Sequence, residues 1–87
     1  MGWYCVHVEH QRLSTPLNTT FRNMVLAEYR KLGEPVNCRV YRRQHVNSSV
    51  TYYFSPGAYE TLAALVNFWH GTECPEPADH IGLEVMI

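Results

Sequence analysis

Hydrophobic patterning predicts an α+β fold, a four-stranded antiparallel sheet with two helices on one face. Four segments carry strand-like patterns, two carry apolar residues at helical spacing, and they follow one another as strand, helix, strand, strand, helix, strand. A chain of 87 residues supports one domain, residues 1–87, and no second.

Over residues 3–10, Tyr4, Val6 and Val8 fall on one side and Trp3, Cys5, His7 and Glu9 on the other, which reads as a strand with one buried face. Leu13-Ser14-Thr15-Pro16 breaks the alternation. Phe21, Val25, Tyr29 and Leu32 then recur at helical spacing, with Met24 beside them, and predict a helix over 20–32. Thr15 before Pro16 is an alternative, earlier N-cap. Gly33 stops the helix and Pro35 bars its continuation.

Residues 38–46 and 50–55 are β-rich runs joined by Asn47-Ser48-Ser49, a hairpin pattern. Cys38, Val40, Val50, Tyr52 and Phe54 are the inward set; Arg39, Tyr41, Arg43, His45, Thr51 and Tyr53 point outward. Arg42 falls on the inward set, so either it lies past the rim of the core or a bulge shifts the register there. Ser55-Pro56 is an N-cap followed by proline at the first helical position, and Tyr59, Leu62, Leu65/Val66 and Trp69 continue a helical stripe until Gly71. Residues 72–77 read as a polar, proline-containing loop. In the last segment, 81–87, Ile81, Leu83, Val85 and Ile87 alternate with Gly82, Glu84 and Met86, a final amphipathic strand.

This β-α-β-β-α-β order is similar to the split βαβ arrangement of ferredoxin-like domains, and right-handed crossovers then imply the strand order 4-1-3-2. The likeness is to a fold that hosts unrelated functions and implies no activity.

Composition narrows the function classes. The chain is 46% hydrophobic, 13% aromatic and 17% charged, below the ~25% charge of ordinary soluble domains. Aromatic content this high argues against disorder, and a surface this poor in charge favours self-association. No apolar run is long enough to span a membrane. The N-terminus lacks the basic and apolar regions of a signal peptide, and Cys5, Cys38 and Cys74 show no Cys-x-x-Cys spacing, so three free thiols in the cytoplasm are expected. All seven Lys and Arg lie before residue 44, against three acids there, while five acids and no Lys or Arg follow. The predicted topology turns this layout into a basic flank (Arg22, Arg30, Arg39, Arg43) and an acidic flank (Glu60, Glu84).

The predicted sheet leaves one face uncovered, carrying Trp3, Cys5, His7, Glu9, Arg39, Tyr41, Arg43, His45, Thr51, Tyr53, Glu84 and Met86. Aromatic, Met and Arg side chains are those enriched at interface cores, so the face is expected to bind a second copy or a protein partner. Ala64 and Phe68, at i and i+4 on the far side of the second helix, form a second candidate interface. An alternative is single-stranded RNA stacking on Trp3, Tyr41 and Tyr53, with Arg39 and Arg43 on phosphates; no basic-Gly-aromatic signature accompanies it. Another is a small-ligand or enzymatic dimer with a cavity between sheets, for which His7 between Cys5 and Glu9 offers a nucleophile, a base and a carboxylate. Their spacing of about 6 to 7 Å on one strand is too wide for direct hydrogen bonds. His70, Cys74, Asp79 and His80 are zinc-ligand types at a spacing that matches no established site. The expectation is therefore a non-catalytic interaction domain without a cofactor, forming a homodimer or docking on a protein partner.

Overall fold

The structure is a computed structural model that describes residues 2–9, 15–47, 49–78 and 82–87, with the side chains of 15–19 left aside. Expectations placed on His10, Leu13, Ser14, Ser48, Asp79, His80 and Ile81 lie outside the described residues. The elements are β1 (Trp3–Val8), α1 (Thr15–Lys31), β2 (Val40–Gln44), β3 (Val50–Phe54), α2 (Pro56–Phe68), β4 (Thr72–Cys74) and β5 (Leu83–Val85). Every strand pairing is antiparallel, and the sheet order is β4-β1-β3-β2-β5. The fold is thus α+β with two helices, and its sheet has five strands instead of the expected four. No helix of the described residues is long and apolar enough to cross a membrane.

Register follows the alternation in β1, β2 and β3. Val6 lies opposite Tyr52, Val8 opposite Val50, and Val40 opposite Phe54. All six are buried, together with Phe21 and Val25 of α1 and Ala58, Leu62 and Val66 of α2. Both helices therefore cover the same sheet face. Phe21 sits at the junction: its ring meets those of Tyr52 at 4.6 Å, Trp69 at 5.0 Å and Phe54 at 6.1 Å, each edge-on.

Each helix ends where its local chemistry dictates. α1 begins at Thr15, the earlier of the two starts. It ends in a left-handed turn with Gly33 at φ 85° and Glu34 at φ 54°, where the Glu34 N–H donates to the Tyr29 carbonyl at 3.0 Å. Ser55 caps α2: its Oγ accepts from the Ala58 N–H at 3.2 Å and from the Arg39 N–H at 3.0 Å, tying the helix start to the entry of β2. Within α2, Leu62 departs from helical dihedrals one residue after Thr61, whose Oγ1 donates to the Gly57 carbonyl at 2.9 Å. Such back-bonding commonly bends helices. At the far end His70 takes the left-handed conformation (φ 61°) that Gly71 was placed to supply. Gly71 serves a different need there, because a Cβ on it would run into Val66.

Two corrections concern the second half of the chain. Residues 72–74, read as loop, form edge strand β4 against β1. Thr-Glu-Cys has no apolar alternation to betray it; the free edge of β1 supplies the partners. The final strand, expected beside β1, instead joins the opposite edge as β5, beside β2, with its parity reversed: Leu83 and Val85 lie opposite Arg43 and Tyr41 on the open face, while Glu84 lies opposite Arg42 on the helix face. The reversal answers the question of Arg42. Pairing runs unbroken through Arg42, so no bulge occurs. Arg42 stands on the helix face at the core rim, 3.1 Å from the Glu84 carboxylate and 3.3 Å from Gln44 Oε1. Glu84 therefore belongs to the basic edge of the sheet, and the expected separation of acidic and basic flanks fails there.

Candidate functional site

The open sheet face is built from residues of four strands whose register brings them together. Trp3 and Tyr41 stack across the sheet with centroids 5.8 Å apart and planes 13° apart. Arg43 lies over the Tyr53 ring at 5.8 Å. Burial pushes the Tyr53 phenol up from its ordinary value, and the Arg43 guanidinium partly opposes the shift. Trp3 is only 9% exposed. A ring so covered has little face left for a nucleic-acid base, while Tyr41 and Tyr53 are half-buried.

Beside these rings, β1, β3 and the end of β2 place three polar groups in a row. Thr51, directly opposite both His7 and Arg43 in the two ladders, is buried. Its Oγ1 lies 2.9 Å from His7 Nδ1 and 2.8 Å from His45 Nε2. A hydroxyl has one proton to donate and two lone pairs, so at most one ring accepts from Thr51 and at least one donates to it. His7, His45 and Arg43 also line an open hollow of about 560 Å³ with Asn47, Ser49 and Gly82. His7 Nε2 points toward Glu9 Oε1 at 3.9 Å. This arrangement holds the two imidazoles through one hydroxyl; of the alternative row Cys5, His7 and Glu9, His7 and Glu9 approach each other, while Cys5 Sγ lies 3.7 Å from Thr72 Oγ1. Thr51→Val is expected to cost about 1 kcal/mol in urea denaturation, the net worth of ordinary hydrogen bonds, and to release both rings from fixed tautomers in imidazole ¹⁵N spectra. Unchanged ring spectra would refute the bridge.

The remaining site residues divide. Arg39 precedes β2, is exposed, and contributes its backbone N–H to Ser55. Met86 is not on the open face: it packs against the core with Ile87, after the Met86 N–H donates to the Val40 carbonyl at 2.8 Å. His70 and Cys74 are described, while Asp79 and His80 of the same cluster lie outside the described residues.

Ala64 and Phe68 are both exposed on α2, and the structure brings them to one lip of a groove between the two helices. Met24, Ala27 and Leu32 form the opposite lip, Leu62 and Leu65 line the α2 side, and the groove measures about 780 Å³. Phe68 is 74% exposed, Leu32 49% and Met24 38%. Glu28 and Lys31, 3.9 Å apart, stand on the same groove. Sequence patterning found one wall of this groove; the other required the helices to be set side by side. No protein-family profile, curated protein or solved structure matches the chain.

Proposed function

We propose that this chain is a protein-interaction domain that self-associates through the α1–α2 groove, the Phe68 ring of each copy filling the groove of the other. The supporting observation is the 74% exposure of Phe68 at the lip of a groove walled by Met24, Ala27, Leu32 and Leu65. An exposed aromatic beside an apolar hollow is the self-complementary pairing a two-fold interface needs. Glu28 and Lys31 support a second copy as the occupant, because an antiparallel approach of two α1 helices would set the lysine of each protomer against the glutamate of the other. The open sheet face is the weaker candidate, since Trp3, Tyr41, Thr51, His7 and His45 are already engaged with one another. On this reading the first six elements form a ferredoxin-like core, to which β5 adds a strand.

Sedimentation velocity across protein concentration tests the proposal. The expected result is a concentration-dependent monomer–dimer equilibrium. Phe68→Ala removes a ring from each copy and is expected to weaken it about 1,000-fold, the equivalent of about 4 kcal/mol for two buried aromatic side chains. Phe68→Glu is expected to leave monomer only, and both variants should keep the native circular dichroism spectrum. Added salt should weaken association only modestly, because the rim charges are exposed and the centre is apolar. A strict monomer up to about 1 mM would overturn the proposal, since association weaker than that is worth less than about 4 kcal/mol.

A further inference from the structure

Two of the three cysteines, far apart in the chain, meet on the open sheet face. β1 and β4 pair antiparallel with Cys5 opposite Thr72 and Trp3 opposite Cys74, so both thiols stand on the same face one register step apart. Both are free and half-buried, whereas Cys38 is buried in the core on the other side. The Cys74 thiol is pushed up to about 12, first by burial, then by charge on Cys5 and the hydrogen bond between the two side chains. The register alone therefore sets the two thiols as diagonal neighbours across the β1–β4 ladder.

We infer that Cys5 and Cys74 form a reversible dithiol–disulfide site that exchanges with small-molecule disulfides and clips the edge strand β4 onto β1. Diagonal neighbours on paired strands lie about 7 to 8 Å apart, beyond the ~6.8 Å upper reach of a disulfide, so bridging requires the backbone to move. That movement falls to β4, a three-residue edge strand paired on one side only. The chemistry balances as two exchange steps. The Cys5 thiolate attacks one sulfur of the small disulfide and expels a thiolate, leaving a mixed disulfide on Cys5. Cys74 then loses its proton to solvent and attacks the Cys5 sulfur, expelling the second thiolate. The protein gives up two protons and two electrons, and the small disulfide becomes two thiols. The rest of the face provides a reporter, because Cys74 lies directly across from Trp3.

The experiment treats the full chain with oxidised glutathione and reads intact mass, the cross-linked peptide and tryptophan fluorescence. The expected product has lost two hydrogen atoms, carries no glutathione, maps to a Cys5–Cys74 link, shows reduced fluorescence, and returns to the starting state with reductant. Cys38→Ser should behave identically. Cys74→Ser should stop at a stable glutathione adduct on Cys5, and Cys5→Ser should form no intramolecular link. A wild-type protein that remains unreacted, halts as an adduct, or links through Cys38 overturns the inference, and this wild-type result decides even where a variant fails to fold.

Discussion

Phe21→Ala is expected to destabilise the domain by about 3 to 5 kcal/mol, the usual cost of emptying a buried aromatic site. Phe21 has no exposed surface, and its ring touches Tyr52 and Phe54 of β3 together with Trp69 just beyond α2. The side chain therefore anchors α1 to the sheet and to the end of the other helix at once. Those rings meet it edge-on from different elements, so no single shift can close the hole its loss leaves. A domain of this size has about 4 to 13 kcal/mol of stability in total. The substitution should move the urea midpoint far toward zero, and Phe21→Leu should cost well under half as much. A midpoint for Phe21→Ala within about 0.5 kcal/mol of wild type would contradict the packing of α1 described above.

Gly57→Ala carries the second large effect, and its sign runs against helix propensity. Gly57 lies in the first turn of α2, where Ala would ordinarily be favoured by about 1 kcal/mol. Here an added Cβ would fall on the backbone carbonyl oxygen of Asn37 and close against the Asn37 Cβ at 3.1 Å. Backbone cannot rotate aside as a flexible side chain can. The same carbonyl also accepts from the Ser55 hydroxyl at 3.5 Å, so pushing Asn37 away disturbs the group that caps the helix. Overpacking of this kind costs about 1 to 3 kcal/mol, and the added strain at the cap places this site at the upper end. A fall in melting temperature of about 10 °C or more is expected, measured by circular dichroism. A rise would show that the segment carrying Asn37 yields freely.

The parts of the fold that were legible in the sequence share one physical basis, alternation or helical spacing strong enough to survive any tertiary context. Val6 and Val8, Val50 with Tyr52 and Phe54, and the pair Phe21 and Val25 declare their buried side without help. Ser55-Pro56 marks the start of α2 through local chemistry alone. The ends of the sheet were less legible. β4 is polar and three residues long, so its pairing depends on backbone groups that β1 leaves open. β5 pairs with only three residues of β2, and its parity goes with contacts distant in sequence, the Glu84–Arg42 pair and the packing of Met86 and Ile87 on the core. Met86 was lost from the open face by that same one-residue shift. At the site, Phe68 and Ala64 were visible as a stripe on α2, but Met24, Ala27 and Leu32 gain meaning only from the second helix beside them. Thr51 carried no signal at all, because a threonine between β-rich residues looks like ordinary strand until two imidazoles converge on it.

The short strands at the two margins of the sheet bear on how this chain stays apart from its neighbours during and after folding. A long bare margin would recruit other chains by backbone pairing, the route to fibrils and insoluble assemblies. Here the outermost strand at each margin is three residues long and carries a glutamate at its centre, Glu73 in one and Glu84 in the other. Pro75 follows Cys74 immediately, and its nitrogen has no hydrogen with which to lengthen that ladder. Lateral growth of the sheet is thus checked by length, by charge and by a missing donor, so the margins resist templating while the helical layer remains free to engage other molecules.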